Sequence, residues 1–162
     1  MISEYRHGGI IILSSFIIAY MLTLMPLPAW ALNWRPAWVT IVLIYWCLAL
    51  PDRVGIGVAW ISGMFLDVQQ GTVFGQNAIA LTIIAYVIIK VYNRIRVFPL
   101  AQQAMIVCIL LLFTEMLTLW IRAMMGFSPQ HWTYWMPAFT SMIIWPWLFI
   151  ILRDVRRKFQ VY

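Results

Sequence analysis

Charge is what this sequence has least of. Only 10% of its residues are Asp, Glu, Lys or Arg, and just five are acidic. A soluble domain carries roughly a quarter charged residues, so an ordinary solvated, mixed-charge surface is excluded. The eleven basic residues are spread among apolar runs and are too few to make a nucleic-acid surface. Cysteine is confined to Cys47 and Cys108. Neither has a CxxC, CxxCH or His-rich neighbour, which leaves no basis for a disulfide framework or a zinc site; both read as small packed hydrophobes. The chain also lacks HExxH, GxSxG and a phosphate-binding glycine loop. No catalytic constellation is legible, and neither enzyme activity nor a cofactor is expected.

What the chain has instead is apolar length. Of its 162 residues, 64% are hydrophobic, and the mean hydropathy is +0.88. A membrane helix needs about 20 mainly apolar residues. Six such segments are expected, at about 9–27, 36–50, 54–68, 73–89, 98–121 and 134–152, forming one transmembrane domain over 1–162. The expected class is therefore an all-α polytopic membrane protein with six transmembrane helices. Proline sets some limits: Pro36 suits a first helical turn, Pro51 ends a helix, and Pro146 predicts a kink within the last span. The third segment has about 15 residues before polarity interrupts it, roughly 22 Å of helix, which is short of a core of about 30 Å. Gln69-Gln70-Gly71-Thr72 is therefore expected as non-helical backbone, buried in protein or lining a wet cavity.

Six spans put both termini on one side. If that side is the cytoplasm, it holds Arg6, Arg53, Lys90, Arg94, Arg96, Arg153, Arg156, Arg157 and Lys158, and the other side holds Arg35 and Arg122. Nine against two is a strong positive-inside bias. A secretory leader is the rival reading of the start, with Ala29-Trp30-Ala31 as a small-x-small site. The first apolar run, at about 19 residues, is longer than a usual signal core, which favours an uncleaved helix. Trp30, Trp34, Trp120, Trp132 and Trp135 fall at expected outer ends, where aromatic belts are normal. Phe127 to Trp135 can also present a docking surface there. His7 and His131 fall on opposite sides and cannot share a metal.

Two carboxylates lie inside spans, where a charge costs roughly 2.5–3.5 kcal/mol on insertion scales. Asp67 is expected about 20 Å, and Glu115 about 25 Å, from the inner side. Arg122 follows Glu115 by seven residues on nearly the same face. A polar cluster of Glu115, Arg122 and Arg35, with Asp67, is expected near the outer surface. The simpler alternative is that each carboxylate caps or pairs locally. Around Asp67 the sequence reads GMFLDVQQGTVFGQN, with glycines at 63, 71 and 75. Gly63 stands one helical turn before Asp67 and lets a neighbouring helix approach closely. Gly71 falls where the helix should stop, a site for left-handed backbone. Gly75 lies just inside the next span, and Asn77 can bond across the turn. The stretch is expected to be a tight buried corner in which Asp67 accepts backbone N–H bonds.

The pattern Gly63-x-x-x-Asp67-x-x-x-Gly71-x-x-x-Gly75-x-Asn77-Ala78, at the junction of spans three and four, resembles the signature of the MreD family of bacterial rod-shape-determining membrane proteins. Chain length, span count, a basic turn after span four and a basic tail extend the resemblance to the whole chain. Where the family's usual form has a small residue and proline, this chain has Val73-Phe74. The resemblance implies a non-enzymatic part of the cell-elongation machinery in the bacterial inner membrane. It implies partners of four kinds: an MreC-type periplasmic scaffold, the actin-like MreB filament, a RodA-type glycosyltransferase and a class B penicillin-binding transpeptidase. It also implies a fold similar to the six-helix substrate-binding subunits of energy-coupling vitamin importers.

Three functions compete on the residues alone. An assembly subunit would work through helix faces, with a structural Asp67. A solute-binding or transport subunit would place Asp67, Glu115 and Asn77 around an outward-facing pocket; short, interrupted spans point that way, although no internal repeat is present. A membrane enzyme is the third. The basic residues Arg94, Arg96, Arg153, Arg156, Arg157 and Lys158 read as positive-inside charge attracted to anionic lipid, or as contacts for a cytoplasmic partner.

Overall fold

The computed structural model describes residues 2–127 and 131–161, with side chains from residue 8 onward. Arg6 and His7 therefore lie outside the described side chains, and Ser128-Pro129-Gln130 of the aromatic loop lies outside the described residues. The described residues are all-α. Seven α-helices occur in the order α1 (Ile2–Leu24), α2 (Ala29–Leu32), α3 (Trp38–Ala49), α4 (Ile56–Gln70), α5 (Gln76–Ile95), α6 (Leu100–Met124) and α7 (Met136–Lys158), with a 3-10 turn at Trp132–Trp135 before α7. Among the described residues, three helices are long and apolar enough to cross a membrane: Gln76–Ile95, Leu100–Met124 and Trp132–Lys158. Gly8–Leu24 and Trp38–Ala49 are shorter apolar helices.

The shortest of the six long helices is the centre of the bundle. α3 packs against α1, α5, α6 and α7. Every residue from Val39 to Leu48 is buried, as expected of a helix that is apolar all round. Tyr45 meets Trp46 and Phe149 edge-on, at 5.3 and 5.4 Å between ring centroids. Cys47 is a buried free thiol whose Sγ donates to the Val54 carbonyl at 3.3 Å; Cys108 is also free and buried. Large apolar side chains face outward from other helices, including Leu13, Ile17 and Met21 of α1 and Ile61, Phe65 and Val68 of α4. Those faces require a bilayer or partner helices to cover them.

The long helices run alternately between two ends. At the basic end, a Cβ on Gly8 would strike the Arg53 guanidinium and lie 3.2 Å from Val161 Cγ1. That brings together the start of α1, the α3–α4 turn and the C-terminal residues. At the other end, here the corner end, α4 turns back into α5.

Helix limits differ from the hydropathic segments for physical reasons. α1 stops at Leu24 because Pro26 disfavours helical backbone at the residue before it. Pro36 is not in a first helical turn. It precedes the N-cap Ala37 (φ −79°, ψ 69°), and the Trp38 N–H donates to the Pro36 carbonyl at 2.9 Å, which is an inverse γ-turn. Gln69 and Gln70 are helical rather than irregular: glutamine is a good helix former, and Gln69 Nε2 donates to the Tyr20 carbonyl of α1 at 3.2 Å. α5 and α7 continue beyond their apolar segments to Ile95 and Lys158, since backbone hydrogen bonding does not end where side chains turn polar. The chain stays helical through Pro146.

Candidate functional site

Asp67 lies in the last turn of α4. Its carbonyl accepts from the Gly71 N–H and, at 3.1 Å, from the Thr72 N–H. That paired bonding requires left-handed backbone just past the helix, and Gly71 supplies it at φ +61°. The Gln76 N–H then donates to the Val73 carbonyl at 3.0 Å. Gly75, at φ +95°, is the N-cap of α5 and lies outside that helix rather than inside it.

The Asp67 carboxylate spans the gap between the two helices. Oδ2 accepts from the Gly75 N–H at 2.8 Å. Oδ1 accepts from the Asn77 N–H (2.9 Å), Asn77 Nδ2 (3.0 Å) and Thr72 Oγ1 (2.9 Å). The residue is 1% exposed. A negative charge is unfavourable at the C-terminus of α4 and favourable at the N-terminus of α5. Four donors stand at hydrogen-bond distance from the carboxylate. Gly63 clamps the same hairpin: an added Cβ would collide with Ala78 Cα and lie 2.7 Å from the Asn77 carbonyl carbon. The α4 and α5 backbones therefore touch one turn below the carboxylate. Phe74, in the turn, is 69% exposed.

Beside the corner is a polar cavity of about 230 Å³. Arg35, Gln76, Asn77, Glu115, Arg122 and Tyr134 line it, together with the first residues of α3. The structure thus brings Glu115, Arg122 and Arg35 together with Asn77. Asp67 is not part of the lining; its carboxylate is used within the corner. No ion pair within 4 Å joins Glu115 to Arg35 or Arg122. The Arg35 guanidinium instead caps the end of α1, donating Nη1 to the Thr23 carbonyl at 2.5 Å and Nη2 to the Met25 carbonyl, while its buried Nε–H has no acceptor. Tyr134 Oη shares a hydrogen bond with Thr118 Oγ1 at 2.7 Å and donates to the Glu115 carbonyl at 3.3 Å, fastening α6 to the turn before α7.

Two contributors were not singled out from sequence. Gln76 is 2% exposed, and its Oε1 has no hydrogen-bond partner. The Thr118–Tyr134 pair joins residues sixteen positions apart. A buried glutamine opening an apolar run was a readable signal for the first; nothing local marks the second. An unpartnered acceptor, an unpartnered guanidinium N–H and a carboxylate in one cavity can hold water or a small polar molecule through hydrogen bonds. Of the basic residues singled out, Arg96, Arg153 and Arg156 converge on a second pocket at the opposite end. Arg94, Arg157 and Lys158 are exposed and do not line it, and Arg96 is exposed at its edge.

The sequence model of the family described as rod shape-determining protein MreD matches residues 6–155. A curated relative, rod shape-determining protein MreD of Haemophilus influenzae, is 34% identical over 151 residues, covering 93% of this chain and 93% of that protein. No solved structure matches the chain.

Proposed function

Because the chain belongs to the MreD family of rod shape-determining proteins, we propose that it is a non-enzymatic membrane subunit of the bacterial cell-elongation machinery. In this reading all six long helices lie in the inner membrane as one domain, arranged like the substrate-binding subunits of vitamin importers, with both termini in the cytoplasm. The basic end, with Arg94, Arg96, Arg153, Arg156, Arg157 and Lys158, faces inward. The corner end, with exposed Trp30, Trp34, Trp120 and Trp132, faces the periplasm. There it would meet an MreC-type scaffold, a RodA-type glycosyltransferase and a class B transpeptidase, while the inner face would be coupled, directly or through others, to MreB filaments.

The observation that carries this reading is the reach of the family match, which takes in the corner and nearly the whole chain together. The structure adds a reason for a scaffolding role. The Gly63–Asp67–Gly71–Gly75–Asn77 corner holds α4 and α5 as a rigid hairpin, and the outward apolar faces of α1 and α4 are free for neighbouring helices. The test is gentle purification of the tagged protein from its own membranes, with mass spectrometry of what stays bound. Retention of a periplasmic scaffold and wall synthases is expected. Retention of an energy-coupling ATPase pair instead would overturn it.

A second reading, solute binding, draws on one specific observation: Gln76 Oε1 and Arg35 Nε are unpartnered at the polar cavity. It predicts a small molecule that co-purifies with the wild type and is lost on Gln76→Leu.

A further inference from the structure

The basic end holds a pocket whose chemistry differs from that of the corner. It measures about 150 Å³ and lies beyond the last turn of α3, between the end of α5, the start of α6 and the second half of α7. Arg96, the C-cap of α5, stands on one side, with Arg153 and Arg156, one turn apart on α7, on the other. Tyr45 and Phe149 form an apolar wall, locked edge-to-face at 5.4 Å. No acidic residue lines it. Asp154, outside the lining, pairs with one of the three: its Oδ1 is 3.6 Å from Arg153 Nε, and its side chain is 62% exposed.

Two polar atoms at this pocket lack hydrogen-bond partners, one on the partly exposed Arg153, whose side chain is 40% exposed, and one on the buried Gln103. Arg153 Nε–H has no acceptor. Gln103 is 3% exposed; its Nε2 donates to the Ile95 and Phe98 carbonyls, both at 3.1 Å, which fixes the amide. Its Oε1 has no donor. Three guanidinium groups around one pocket favour an anion, and the glutamine oxygen can take a donor from the same ligand. Guanidinium forks match phosphate oxygens. A phosphate ester carrying a hydroxyl or ammonium group satisfies both demands, and basic pockets between membrane helices suit phospholipid headgroups.

We propose that this pocket is a binding site for a phosphate-ester anion. Arg96, Arg153 and Arg156 would donate to the phosphate, and Gln103 Oε1 would accept from the group attached to it. The phosphate can come from an anionic phospholipid headgroup or from free phosphate in solution.

The test uses the full chain, purified in a neutral detergent, with native mass spectrometry and thermal stability as readouts. The probes are phosphatidylglycerol, inorganic phosphate and a penta-glutamate peptide. Two double variants are compared: Arg153→Gln with Arg156→Gln in the pocket, and Arg157→Gln with Lys158→Gln beside it. The expected result is one phosphatidylglycerol per chain, held about tenfold or more weakly by the pocket variant and unchanged in the neighbouring variant. Inorganic phosphate displacing that lipid would assign the site to phosphate itself; lipid retained against millimolar phosphate would assign it to the headgroup.

Equal loss in both double variants would overturn the proposal in favour of diffuse charge attraction. So would the absence of lipid and phosphate binding, with or without binding of the acidic peptide. If the pocket double variant does not fold, Arg156→Lys replaces it. That change keeps the charge and removes the fork, and unchanged lipid binding there would also sink the site.

Discussion

The two ends of this bundle treat ionic groups in opposite ways. At the corner end, Asp67 is 1% exposed and receives four hydrogen bonds between 2.8 and 3.0 Å, from the turn and from the first turn of α5. At the basic end, Arg153 is partly exposed and its Nε–H has nothing nearer than Asp154 Oδ1 at 3.6 Å, while the buried Gln103 keeps an oxygen without a donor. The first arrangement is complete within the protein and works as structure. The second is incomplete and needs something from outside. A buried polar group commonly costs about 1–3 kcal/mol when left unpartnered, so a charge that completes itself reads as a fastener, and one left open reads as a site.

That contrast can be broken most directly at Asp67. Asp67→Lys sets a buried cation against four donors and should abolish accumulation of the folded protein in the membrane, measured by blotting and by detergent-resistant thermal stability. Normal levels would erase the fastener reading. Gly63→Leu should come next. Its side chain meets the backbone of Asn77 and Ala78, which cannot swing aside, and overpacking of this kind costs about 1–3 kcal/mol or more. A marked drop in melting temperature is expected.

Asp67→Asn sharpens the comparison. Oδ1 can keep its donors, but the amide nitrogen would then face the Gly75 N–H, giving a loss of about 1–3 kcal/mol. A substitution that looks neutral from the sequence is thus expected to be destabilising. Gly71→Ala, at φ +61°, should cost about 1–2 kcal/mol. The smallest effect belongs to the open end. Arg153→Gln with Arg156→Gln should leave stability without added lipid within about 0.5 kcal/mol of wild type. A large loss there would show that the guanidinium groups are structural after all.

The corner was legible because its geometry is local. Gly63, Asp67, Gly71 and Asn77 lie within fifteen residues, and helix periodicity with glycine stereochemistry prescribes what each can do. Helix lengths were less legible. Hydropathy reports where side chains turn polar, whereas α4 and α5 end where hydrogen bonding ends, at Gly71 and beyond Ile95. α2 is apolar throughout, but at four residues it is too short to register as a helix by periodicity. The cavity was half legible: Glu115 and Arg122 share a face by spacing, but that Arg35 spends its charge on the end of α1, and that Tyr134 ties back to Thr118, depends on packing between distant segments. The central place of α3 was readable only as an unbroken apolar run, which buried and lipid-facing helices share.

α3 has one further consequence, and it is electrical. Its twelve residues make about 18 Å of helix, with one polar cavity at its first turn and a basic pocket at its last. With the bundle in a bilayer and both hollows wet, the insulating layer at its centre is little more than half of the usual ~30 Å core. In the proposed inner-membrane orientation, a resting voltage would then fall mainly along α3, in a steeper field than in the surrounding lipid. Arg35 and Arg122 stand at one plate of that capacitor, and Arg96, Arg153 and Arg156 at the other. Each full unit charge moved between them would be worth about 2.3 kcal/mol per 100 mV, so in that orientation collapsing the membrane potential would be felt at the two ends of the shortest long helix.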